Sequence, residues 1–122
     1  MHMGKFIVRE TNSGMKFDLK AGNGEVIATS QVYSNKESCL KGIESVKATA
    51  PIANIENQTL EGYATEKHPK FELYEDHSGE FRFRLKAKNG QIVATGQGYK
   101  SLSGCKHGID SVKKNAPDAS VE

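Results

Sequence analysis

KFIVRETNSGMKFDLKAGNGEVIATSQVYSNKESCLKGIESVKATAP, residues 5–51, returns as KFELYEDHSGEFRFRLKAKNGQIVATGQGYKSLSGCKHGIDSVKKNAP, residues 70–117. With Glu80 as the one extra residue of the second copy, 23 of 47 aligned positions are identical. They include Phe6/Phe71, Phe17/Phe83, Leu19/Leu85, Tyr33/Tyr99, Cys39/Cys105 and Ile43/Ile109. A repeat of this length specifies architecture, because each copy is one supersecondary unit that cannot bury its apolar face without its twin. It does not specify chemistry.

Inside each copy the hydrophobic period changes once. Phe6 and Val8 alternate with Ile7 and Arg9, Thr11-Asn12-Ser13-Gly14 turns the chain, and Met15, Phe17, Leu19 and Ala21 alternate with Lys16, Asp18 and Lys20. That pattern predicts a hairpin with one buried face. Asn23-Gly24 and Asn89-Gly90 each stand between extended runs and predict a type I′ turn, in which both central residues take positive φ. A third strand follows over residues 25–31 and 91–97.

The period then lengthens to that of a helix. Cys39, Ile43, Val46 and Ala50 recur on one helical face, and Cys105, Ile109, Val112 and Ala116 repeat it. Ser34 with Glu37 reads as a capping box, Ser101 as the cap of the second helix, and Pro51 and Pro117 close both. Lys47, Lys113 and Lys114 fall in the last turns, where the helix dipole favours cations. Gly42 and Gly108 sit mid-helix, each at a cost of about 1 kcal/mol relative to Ala. Such a cost at matching positions predicts close packing of the Cys-x-x-Gly face, against the twin helix or down onto the sheet. Past the prolines, Ala53/Ala119, Ile55/Val121 and Glu56/Glu122 still align and predict a short fourth strand.

The expected fold is therefore α+β with pseudo-two-fold symmetry: two tandem β-β-β-α-β repeats, residues 4–56 and 70–122, with a linker at 57–69. A chain of 122 residues reads as a single domain over 1–122 with a modest core. The Asn-Gly turns, the Gly-Ile-Glu/Asp-Ser-Val-Lys helices and the Ala-Pro endings, all present twice, resemble the YegP-like family of small bacterial proteins of unknown function. The resemblance implies that the two copies build one antiparallel sheet, lay both helices on one face and exchange their last strands. It carries no activity, ligand or catalytic residue.

Charge is balanced and evenly spread. Residues 1–59 hold 7 basic and 6 acidic side chains and residues 60–122 hold 10 and 9, so the whole-molecule field gives no reason to expect a polyanion. Met1-His2-Met3-Gly4-Lys5 lacks the apolar run of a secretory signal, and its first residues read as a cloning remnant before Met3. No stretch reaches the length of a membrane span. The expectation is a cytoplasmic monomer with no membrane contact, in which Cys39 and Cys105 stay free as small buried hydrophobes.

Four functional patterns invite a reading. The run Phe81 to Lys88 puts Arg82, Arg84, Lys86 and Lys88 on one strand face, a candidate anion or nucleic-acid surface on which Tyr74 would stack bases. Glu72 and Asp76 on the preceding strand fall on the same side, where cross-strand pairing would neutralise it. Thr29, Gln31 and Tyr33 recur as Thr95, Gln97 and Tyr99 and would line matching ligand pockets, or one pocket across the pseudo-two-fold axis, or else satisfy backbone groups at the start of each helix. His2, His68, His77 and His107 show no paired spacing, so no metal is expected. Ser101, Ser103, Cys105 and His107 have no counterpart constellation in the first copy, Gly96-Gln97-Gly98 lacks a third glycine, and no catalysis or cofactor is expected. The reading is a non-catalytic binding or interaction module of unknown partner, with anion or nucleic-acid binding at Arg82, Arg84, Lys86 and Lys88 as the alternative.

Overall fold

Period-2 and period-3.6 segments become strands and helices in the expected order. The computed structural model describes residues 3–122. Its elements are β1 (Lys5–Thr11), β2 (Gly14–Lys20), β3 (Val26–Thr29), α1 (Lys36–Thr49), β4 (Asn54–Asn57), β5 (Lys70–Glu75), β6 (Phe81–Lys86), β7 (Ile92–Thr95), α2 (Leu102–Asn115) and β8 (Ser120–Val121). Met1 and His2 lie outside the described residues. No helix of the described residues is long and apolar enough to cross a membrane.

All eight strands join one sheet in the order β4-β5-β6-β7-β3-β2-β1-β8. The interior pairs are antiparallel, but the two outermost pairs, β4 with β5 and β8 with β1, are parallel. The expectation of a wholly antiparallel sheet is corrected at these edges, and the cause is the path of the helices. α1 packs on β2 of its own repeat and β7 of the other, and α2 on β6 and β3. Each helix thus crosses the seam and delivers the following strand beside the first strand of the other repeat. The exchange of last strands is accordingly present. Lys113 ties it down by donating from Nζ to the Ala53 carbonyl at 2.7 Å.

At the seam Thr29 faces Thr95, and the Gln side chains reach across it. Gln31 Nε2 donates to the Ile92 carbonyl at 3.3 Å and Gln97 Nε2 to that of Val26 at 2.6 Å. The core between helices and sheet is built on Phe6, Phe17, Phe71 and Phe83, all fully buried, with Phe6 edge-on to Phe17 at 5.6 Å and Phe71 edge-on to Phe83 at 5.9 Å. Both cysteines are free and buried in it.

Local details differ from expectation at the Asn-Gly turns and at the cap of α1. The Asn-Gly turns are not type I′: Asn23 and Asn89 keep negative φ, and only Gly24 (φ 88°) and Gly90 (φ 82°) are left-handed. The Gly24 N–H donates to the Ala21 carbonyl and the Ala21 N–H to that of Glu25, each at 2.9 Å, which makes a three-residue loop ending in a glycine bulge. The Asn carboxamide selects it by accepting from the amide two residues on, at 3.0 Å in both copies. The cap of α1 is Asn35 rather than Ser34, its Oδ1 accepting from the Ser38 amide at 2.8 Å. Ser101 caps α2 in the aligned position, accepting from the Gly104 amide at 2.9 Å. The glycine of each helix faces a tyrosine below it: a Cβ on Gly42 would lie 2.7 Å from Cζ of Tyr33, and one on Gly108 the same distance from Cζ of Tyr99. Of the two expected causes, packing toward the sheet side is the one observed.

Candidate functional site

The helix-free face of β5 and β6 carries the basic strand. Three of its four cations are answered by carboxylates. Arg84 bonds Glu72 and lays its guanidinium over the Tyr74 ring, 4.4 Å from the centroid, so the aromatic face that would stack a base is taken. Lys86 Nζ lies 3.3 Å from Glu72, and Arg82 lies 3.7 Å from Asp76 while donating to the Gly96 carbonyl. Lys88, exposed in the hairpin loop, is the one without a carboxylate partner among the described residues.

This face also holds a feature that sequence reasoning missed. Residues 58–69 fold back over β4 and β5 and bury Glu56, Lys70 and Glu72 beneath them. Lys70 Nζ donates to Glu56 at 2.8 Å and approaches Glu72 at 3.3 Å. Glu56 also accepts from Gln58 at 2.6 Å and from the Glu66 amide at 2.7 Å. Burial would raise the Glu56 carboxyl, but these donors overcome it and hold the pKa at about 2. Glu72 is likewise lowered, with Arg84, Lys70 and Lys86 outweighing its burial. The signal was present in the repeat, since Lys5 and Glu122 are the aligned twins. Without a covering loop their pair is open, at 3.4 Å and half-exposed.

On the other side, a trough runs between α1 and the β6–β7 hairpin. Three contiguous hollows of about 490, 440 and 310 Å³ make it. Its floor is the Tyr33 ring, Ala87 and Val93; Ser38 and Ser45 from α1 and Asn89 and Gln91 from the hairpin form the polar rim. Gly42 lets Tyr33 lie flush with the helix, its ring stacked on Phe17 at 6.3 Å. Burial pushes the Tyr33 hydroxyl above its usual pKa, with the Cys39 thiol beside it adding to the shift, so it stays a neutral donor. The expected Thr-Gln-Tyr clusters are thus divided: the threonines and glutamines knit the seam, while Tyr33, with Gln31 at one end, lines the trough.

In the second repeat, where α2 packs on β3, Tyr99, Gly108, Ser111, Asn23 and Ala21 are the aligned counterparts of Tyr33, Gly42, Ser45, Asn89 and Ala87, with Gly104 in place of Ser38. A separate apolar groove of about 380 Å³ lies under the start of α1 at the β8 edge, lined by Val8, Met15, Leu40 and Val121. In the second repeat Leu102 takes the place of Lys36 and packs on the core, and Leu73, twin of Val8, is fully buried.

Two of the residues weighed for nucleophilic chemistry have structural places. Ser101 Oγ is the cap acceptor of α2. Cys105 is buried, and burial pushes its thiol up to about 11, far from the thiolate that reacts. Among the described residues no group of three or more His, Cys, Asp or Glu is placed to hold a metal ion.

Comparison with known proteins agrees with this two-repeat architecture. Residues 11–57 and 76–122 match the family model described as a domain of unknown function, DUF1508. A UPF0339 protein of Stutzerimonas stutzeri is 38% identical over 119 residues, covering 97% of this chain and 94% of that protein. One from Treponema denticola is 62% identical over 52 residues, 43% of this chain but 90% of that protein, which is about one repeat long. The solution structure of the Escherichia coli protein of unknown function YegP aligns with a TM-score of 0.81 at 33% identity, covering 100% of this chain and 93% of that one. With both repeats matched, and with relatives and a solved structure aligned along nearly its whole length, the chain belongs to the DUF1508 family, whose YegP-like members share its fold and are named only as proteins of unknown function.

Proposed function

We propose that the chain is a non-catalytic binding module that works at the troughs between each helix and the opposite repeat's hairpin. The observation that carries this reading is the Tyr-Gly pairing: both copies accept a mid-helix glycine so that a tyrosine can lie at the trough floor, with identical Ser and Asn on the walls. A few polar groups around an apolar floor are what orients a small ligand. The apolar groove at the β8 edge supports a protein contact less well, since its rim of Lys36 and Glu122 presents both signs of charge.

The electrostatic alternative, nucleic acid or another polyanion on Arg82, Arg84, Lys86 and Lys88, is weakened by the carboxylates that already engage three of them. The module acts as a monomer, because the tandem copy supplies the exchanged strand. It belongs in a reducing cytoplasm, which two free buried thiols suit.

The test is amide NMR with a panel of small organic acids, amides and polyols. Shifts that cluster on Ser45, Asn89 and Gln91, or on their twins, and that vanish for the first trough in a Ser45→Phe variant, are expected. Shifts confined to other surfaces overturn the reading. Titration with single- and double-stranded oligonucleotides at low salt tests the alternative, and no binding at tens of micromolar is expected, whereas salt-sensitive binding lost in Arg82→Glu, Arg84→Glu would restore it.

A further inference from the structure

The two troughs share part of their walls but not their charge. No Asp or Glu lines any of the three hollows of the first, while Lys41 on α1 and Lys88 in the hairpin do; Lys86, at one end, is already engaged by Glu72. At the aligned places the second keeps Lys20 for Lys86 and has Lys114, paired with Asp110 at 2.9 Å, for Ala48, but it has His107 for Lys41, Gly22 for Lys88 and Glu25 for Gln91. The Glu25 carboxylate is close enough to Tyr99 to help burial raise its hydroxyl. Lys41 has only an exposed contact with Glu37 at 3.7 Å, and such a pair costs little to release.

We infer that the first trough takes a small organic anion with a linear apolar body, a carboxylate of medium chain length being the simplest such molecule, and that the second does not. This rests on the reading of the troughs as binding sites and adds the ligand's chemistry. The chain would lie along Val93, Ala87 and the Tyr33 ring, where a methylene removed from water contributes about 0.8 kcal/mol. The head group would sit where the hollow lined by Lys41 on α1 meets the one lined by Lys88 in the hairpin. There it accepts hydrogen bonds from the rim hydroxyls and amides, and charge-assisted bonds of this kind are about twice as strong as neutral ones. In the second trough the Glu25 carboxylate repels the same head group.

The experiment is an amide NMR titration of the whole chain with octanoate and with octanamide, its neutral counterpart, repeated on a Lys41→Gln, Lys88→Gln variant. Octanoate is expected to shift Ser45, Asn89 and Gln91 saturably and to bind at least tenfold tighter than octanamide. The variant should lose that advantage with octanamide unchanged. Equal binding of the two probes, or equal shifts at Ser111, Asn23 and Glu25, overturns the anion assignment while leaving the troughs as binding sites. The absence of saturable shifts from either probe overturns both.

Discussion

Lys70 and Lys5 hold the same place in the two copies and make the same bond to a glutamate on an exchanged strand, yet one pair is buried and the other half-exposed. Replacing Lys70 by Met strands Glu56 and Glu72 beneath the 58–69 cover, and losing one partner of a buried ion cluster costs about 3–5 kcal/mol. Lys5→Met breaks an open pair and should cost less than about 1 kcal/mol. Urea denaturation of the two variants gives the comparison, and equal losses would show that the cover does not seclude the charges. No local pattern distinguishes these lysines. What separates them is a loop with no secondary structure, whose resting place is set by long-range contacts.

Helices and strands were the most legible level, because periodicity is written residue by residue: the Cys39-Ile43-Val46-Ala50 face is buried as read. The misreadings occurred at element ends, where several short polar residues compete. Ser34 fits a capping box by spacing, but Asn35 is the residue that aligns with the Ser101 cap, so the second copy held the correction. Asn35→Ala should lower stability by about 1 kcal/mol and Ser34→Ala by far less, measured as shifts in chemical denaturation. The type I′ reading failed because the Asn side chain secured its own loop. The mid-helix glycines were read correctly as a packing constraint. Gly42→Ala should destabilise by about 1–3 kcal/mol despite its better helix propensity, since the new methyl meets the Tyr33 ring. Thermal melts decide it, and a gain in Tm would sink the packing account. Of the candidate site, the basic strand was legible in sequence but its neutralisation by Glu72 and Asp76 only as a register argument. The trough, formed by elements from different repeats, was not legible.

Across the whole molecule, acid should act through the covered carboxylates. Glu56 titrates at about 2 in the fold against an ordinary 4.5, so the folded state binds fewer protons than the unfolded chain between those values. The stability this contributes is complete above about 4.5 and is lost as pH falls toward 2. Tm measured down that range should fall, and should fall less steeply for Glu56→Gln. Tandem linkage of the copies reaches further than stability. An assembly of two identical one-repeat chains must present each trough twice, and any lysine gained at one would be gained at both. Covalent union frees Lys88 and Gly22, or Gln91 and Glu25, to diverge at equivalent places, so that one scaffold can specialise its two halves for different cargoes.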